Sequence, residues 1–144
     1  MRSNPNMNSE RGSASLELAM LSVAILTFFL LLIVGARVSM AHQSLQSAAF
    51  AGARDASLVR TVGEASSAGS AGANLALNQA GIKCTNTSIG IDTSAFSKPI
   101  GTVGQVRATL TCKVKLADVA FPGLPGNITI TKHSTSPIDP YRER

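Results

Sequence analysis

The chain has 144 residues, a formal net charge of +5, 15% charged residues, one Tyr and no Trp; that length allows one small domain, and the lack of large aromatics leaves few anchors for a stacked base or a flat cofactor. The cations are thinly spread: Arg37, Arg54, Arg60, Lys83, Lys98, Arg107, Lys113, Lys115, Lys132, Arg142 and Arg144 never form a run of four. A nucleic-acid footprint clusters its charge and interleaves aromatics, so a solvated basic surface is expected and no nucleic-acid partner.

Residues 1–12 are polar, contain Pro5, and set Arg2 and Arg11 against Glu10. They are expected to be disordered and read as a cytoplasmic leader. Positive charge ahead of an apolar span favours a cytoplasmic N-terminus and an external C-terminus.

A polar junction, Glu10-Arg11-Gly12-Ser13-Ala14-Ser15-Leu16, leads to one carboxylate at Glu17 and then to nineteen residues, 18–36, without a charge. As a helix that run spans about 28 Å, close to the thickness of a bilayer's hydrocarbon core. Residues 13–36 are therefore expected to form a membrane-spanning helix, with the membrane itself as a partner. Three fates compete for it. A secretory signal would be cut after Ala41 in Ser39-Met40-Ala41, an uncleaved anchor would keep its leader, and a third fate is cleavage after Gly12.

Only the third gives Glu17 a task. A carboxylate beside a membrane span is costly to bury and is often functional. Cleavage after Gly12 would free an amine on Ser13, about one helical turn from Glu17, so amine and carboxylate neutralise each other within a chain or between staggered neighbours. Glu17 would then register one subunit against the next.

Helix is expected to continue over residues 37–60, where Val38, Ala41, Leu45, Ala48, Ala49 and Gly52 recur at spacings of three and four. Ala48, Ala49 and Gly52 make a seam of small residues that permits close helix packing, as in a filament. The next stretch, 61–81, holds Gly63, Gly69, Gly72 and Gly81. It reads as a loose loop up to Gly72, followed by a short helix over 73–80 capped by Gly81. Gly69-Ser70-Ala71-Gly72 is no phosphate loop, because neither a Lys-Ser nor a Lys-Thr follows it.

From residue 82 the period changes to two. Residues 83–91 and 104–116 alternate apolar with polar and favour β-branched side chains, and 127–131 forms a third strand after a turn at Pro122-Gly123-Leu124-Pro125-Gly126. In the second strand Val106, Ala108, Leu110, Cys112, Val114 and Leu116 share one face, which should cover the helix. The fold class is thus α+β: a long N-terminal membrane helix running into an Ala-rich stalk, packed on an antiparallel sheet of three to four strands. The head is 61–144, with its sheet over 82–136 and a tail at 137–144.

Cys84 and Cys112 fall one per strand, belong to no Cys-x-x-Cys pair and have no histidine close in sequence. A zinc site is not indicated, and two external cysteines most often form a disulfide. His42 and His133 stand outside any nucleophile or metal motif, and Asp92, Asp118 and Asp139 are scattered. No enzyme, metal or cofactor is expected.

The junction Arg11-Gly12-Ser13-Ala14-Ser15-Leu16-Glu17 resembles the class III prepilin processing site, and its context resembles TadE-type pseudopilins of tight-adherence (Tad or Flp) pilus systems. Ala48-Ala49-Phe50-Ala51-Gly52-Ala53-Arg54 resembles the Ala-rich stretch that follows the apolar helix in that family. The closing Ser136-Pro137-Ile138-Asp139-Pro140-Tyr141-Arg142 resembles the ends of actinobacterial members. Many members carry an aromatic where this chain has Leu18. The resemblance implies a minor pilin in a bacterial cell membrane, with a prepilin peptidase and other pilins or pseudopilins as partners.

Overall fold

A computed structural model describes residues 9–119, 123 and 125–141, and for 9–13 and 119 the backbone alone. By compactness the chain divides into two units, Met1–Ala36 and Arg37–Arg144.

The first unit contributes the start of helix α1, Ser9–Leu58. Of the leader, residues 1–8 lie outside the described residues, whereas 9–12, expected to be disordered, are helical backbone. Glu10 and Arg11 are good helix formers, and Pro5, the leader's breaker, lies upstream of them. Residues 14–33 are all exposed, Leu18, Met20 and Leu31 among them. One helix in the described residues is long and apolar enough to cross a membrane, with a mean hydropathy of 2.7 in its best window.

The second unit is an α+β domain. It comprises the remainder of α1, α2 (Val62–Gln79), β1 (Asn86–Asp92), a 3-10 turn (Ser94–Ser97), β2 (Gly104–Lys115), the four-residue α3 (Leu116–Val119) and β3 (Asn127–Ile138). The sheet is antiparallel in the order β1-β2-β3, with Ile89 opposite Leu110, Leu110 opposite Lys132 and Cys112 opposite Ile130. Burial along β2 alternates without a break, so Val106, Ala108, Leu110, Cys112 and Val114 face inward while Arg107, Lys113 and Lys115 face water. The strand ends at Lys115, and Leu116 opens α3.

Two apolar clusters fill the space between sheet and helices. In one, Leu45, Ala48 and Ala49 of α1 meet Leu77 of α2 and Leu110, Cys112 and Val114 of β2. In the other, Ala56 and Ala65 meet Phe96, Val106 and Ile138. Alanine dominates the helical side, so the layers approach closely, and Phe96 is the one aromatic in the two clusters among the described residues.

The glycine-rich stretch is the main departure from expectation. Residues 62–72 are not a loop but the first three turns of α2. Two local devices hold the ends. At the start, Thr61 Oγ1 accepts from the Glu64 amide at 3.2 Å while the Thr61 amide donates to Glu64 Oε2 at 3.3 Å, a reciprocal capping box. At the end, the Gly81 amide donates to Asn78 O and the Ile82 amide to Leu77 O, with Gly81 at φ +68°. This is the Schellman arrangement, which needs a residue tolerant of left-handed backbone. Between the ends, the glycines lie where backbone meets backbone: a Cβ on Gly52 would stand 2.9 Å from Gly69 O and 3.1 Å from Ala73 Cβ. Contact with α1 offsets the poor intrinsic propensity of glycine.

Strand β3 also exceeds expectation, running to Ile138 instead of stopping at residue 131. Its inward positions Lys132, Ser134 and Ser136 break the apolar alternation. Polar contacts to α1 take over there: Gln46 Nε2 donates to His133 O at 3.1 Å, and the hydroxyls of Ser57 and Ser136 lie 2.9 Å apart. Pro137 is tolerated because β3 is an edge strand.

Candidate functional site

The junction lies on α1. Gly12 and Ser13 are within its helical backbone, and Glu17 is an exposed residue one turn beyond Ser13. Among the described residues Glu17 makes no ion pair. It is followed directly by the exposed apolar residues Leu18, Met20 and Leu21. A carboxylate therefore stands at the start of an apolar surface with no partner from its own described chain, an arrangement able to accept a cation from elsewhere.

The small-residue seam is found elsewhere than on a free surface. Ala48 and Ala49 are fully buried and Gly52 is buried against Gly69 and Ala73, all inside the second unit. The seam is occupied by the chain's own α2 and sheet. Nothing in the spacing of 48, 49 and 52 distinguishes an internal partner from another subunit; the matching small residues at 65, 69, 72 and 73 carry that signal.

Cys84 and Cys112 are joined in a disulfide, with Cα atoms 5.4 Å apart and a sequence separation of 28. Cys84 lies just before β1 instead of within it, because the strand starts at Asn86, and Cys112 is inward on β2. The bond ties the link between α2 and β1 to the centre of the sheet.

The other titratable groups are dispersed. His42 is half-buried on α1 and His133 exposed on β3, and among the described residues no three His, Cys, Asp or Glu side chains gather where a metal could sit. Asp92 Oδ1 accepts from the Ser94 amide at 3.0 Å. That bond, a second to the Ser94 side chain and a smaller attraction from Arg107 hold the Asp92 carboxyl below its ordinary range. This is a turn-stabilising aspartate.

Comparison with known families matches residues 12–54 to the family described as TadE-like protein. No curated protein and no solved structure matches the chain. The matched stretch opens at Gly12, contains Glu17 and the whole apolar run, and closes at Arg54, two residues past the Gly52 contact with α2. Through this segment, residues 12–54, the chain is similar to the TadE-like protein family.

Proposed function

We propose that this protein is a minor pseudopilin of a Tad-type pilus, made as a precursor and cut by a prepilin peptidase between Gly12 and Ser13. The observation that carries the reading is a small-residue junction followed by a single carboxylate at Glu17, unpaired among the described residues, and then by nineteen uncharged residues, in the segment similar to the TadE-like family.

The physical steps follow from that order. Residues 13–36 hold the subunit in the cell membrane, with the leader on the cytoplasmic side and the disulfide-closed domain outside. Cleavage creates a positive amine on Ser13, about 6 Å along the helix from Glu17. When the subunit leaves the bilayer for an assembly, its apolar run packs against those of neighbouring pilins or pseudopilins, and Glu17 is removed from water. A buried carboxylate without a partner costs several kcal/mol, so packing is favourable where a terminal amine meets it and unfavourable at other staggers. Because the seam at Ala48, Ala49 and Gly52 is filled from within, contacts between subunits fall to the exposed apolar run.

The N-terminus of protein isolated from its native host tests this, read by intact mass and terminal peptide sequencing. Ser13 at the start is the expected result. An intact leader, or a start at His42 after cleavage behind Ala41, overturns it in favour of a bitopic anchor or a secreted protein.

A further inference from the structure

The second unit carries an open groove of about 430 Å³ that none of the roles above uses. Its walls are Met40 of α1, Ile82 of the link after α2, and Val114 of β2; its charged groups are Arg37, Lys83 and Asp118. Arg37 and Lys83 are exposed, and among the described residues neither makes an ion pair. Two cations against one carboxylate leave the groove with a net charge of +1.

Arg37 also fixes where the groove lies along the chain. It is the residue bonded to Ala36, the last of the uncharged run, so on a membrane-inserted helix its guanidinium sits at the level of the lipid headgroups. We propose that the groove binds the headgroup of an anionic glycerophospholipid from the surrounding bilayer. The phosphodiester lies between Arg37 and Lys83, the glycerol backbone lies along Met40, Ile82 and Val114, and Asp118 accepts a hydrogen bond from a headgroup hydroxyl. Charge selects the ligand: a singly anionic lipid neutralises the site, whereas a zwitterionic choline lipid brings a cation that cannot donate to Asp118. The inference rests on the membrane reading of residues 18–36 and is independent of whether the leader is cleaved.

The test uses the full chain purified in neutral detergent, offered phosphatidylglycerol and phosphatidylcholine, with retained lipid read by native mass spectrometry. Flotation with vesicles of each lipid reports insertion separately. The expected result is one phosphatidylglycerol retained per chain with about tenfold preference over phosphatidylcholine, lost in Arg37→Gln/Lys83→Gln and kept in Lys113→Gln/Lys115→Gln, which removes the same charge from the outer sheet face. Ala80→Phe, which fills the groove without changing charge, should lower retention as well. An intact Cys84–Cys112 disulfide and an unchanged circular-dichroism spectrum verify folding of each variant. Equal retention of the two lipids, equal loss in the sheet-face variant, or no loss in Ala80→Phe overturns the proposal. Displacement of the lipid by millimolar glycerol phosphate overturns it in favour of a soluble phosphate ligand. A chain that floats with neither vesicle overturns the membrane reading, and this inference with it.

Discussion

Gly52 and Gly69 face each other backbone to backbone: a Cβ on Gly52 would stand 2.9 Å from Gly69 O, and one on Gly69 would stand 3.0 Å from Gly52 O. Neither oxygen can move without shifting a helix. Gly52→Ala and Gly69→Ala are each expected to destabilise the domain by about 1 to 3 kcal/mol, the usual cost of overfilling a packed site, and to lower Tm by about 5 °C or more. Gly63→Ala is the control, since a Cβ there meets nothing within 4 Å; it should be neutral or stabilising by up to about 1 kcal/mol. Thermal unfolding of the three variants checks this, and equal behaviour would remove the helix crossing from the account.

The capping box gives an independent measure of α2. Thr61 accepts from the Glu64 amide, and Glu64 accepts from the Thr61 amide. Thr61→Ala should cost about 1 kcal/mol, whereas Thr61→Ser, which keeps the acceptor, should cost much less. Denaturant midpoints at constant m-value report the difference. If residues 62–72 were a loop, Thr61→Ala would leave the midpoint unchanged.

These two devices show where the sequence was legible. The membrane-length helix could be read because nineteen residues without charge have few other fates in water. Strand β2 could be read because its burial alternates at every position. The first half of α2 could not be read from propensity, because Gly63, Gly69 and Gly72 argue for a loop and the compensating contact at Gly52 lies on another element. The Thr61 and Glu64 spacing was the local sign of a helix start. The far half of β3 was hidden because Lys132, Ser134 and Ser136 stand at inward positions, and α1 meets that half of the strand through the Gln46 bond to His133 O and the Ser57–Ser136 hydroxyl pair. At the junction, the order of Gly12, Ser13 and Glu17 is plain in sequence, but the internal occupancy of the Ala48, Ala49 and Gly52 seam needed the tertiary structure.

The disulfide should contribute strongly in so small a domain. Closing 28 residues of separation removes roughly 3 to 4 kcal/mol of unfolded-chain entropy in the loop-closure model. Reduction, or Cys84→Ser/Cys112→Ser, is expected to lower Tm by 10 °C or more, on the order of 4 °C per kcal/mol. Alkylation followed by mass analysis should label no thiols in freshly isolated protein and two after reduction. Two free thiols at isolation would place the domain in a reducing compartment and contradict the external location proposed for it.

Asp92 should give the domain part of its acid sensitivity. Its pKa is lowered from 3.8, first by the Ser94 amide bond. A carboxyl with a depressed folded pKa stabilises above the unfolded value and loses that contribution as pH falls through the folded one. Asp92→Asn should therefore melt below the wild type at pH 6, with the gap closing by about pH 2. A gap that persists at low pH would mean that the turn depends on side-chain shape and not on charge.

Glu17 is the residue on which the assembly reading depends. Glu17→Ala removes a carboxylate that is exposed on α1 and unpaired among the described residues, so the monomer's stability and its insertion into membranes should not change. Cleavage should still yield Ser13, because Gly12 and Ser13 are intact. The loss should appear only when subunits pack: the variant's share of the sheared pilus or isolated assembly fraction is expected to fall about tenfold, corresponding to about 1.4 kcal/mol of lost pairing. Glu17→Asp, which keeps the charge on a shorter arm, should recover part of that share. Blocking the terminal amine of mature wild type should produce a loss like that of Glu17→Ala, and combining the two should add little, because each removes the same pair. Normal incorporation of Glu17→Ala would leave the carboxylate as a solvated residue beside a membrane anchor. Additive losses would mean that the amine and Glu17 act on different partners.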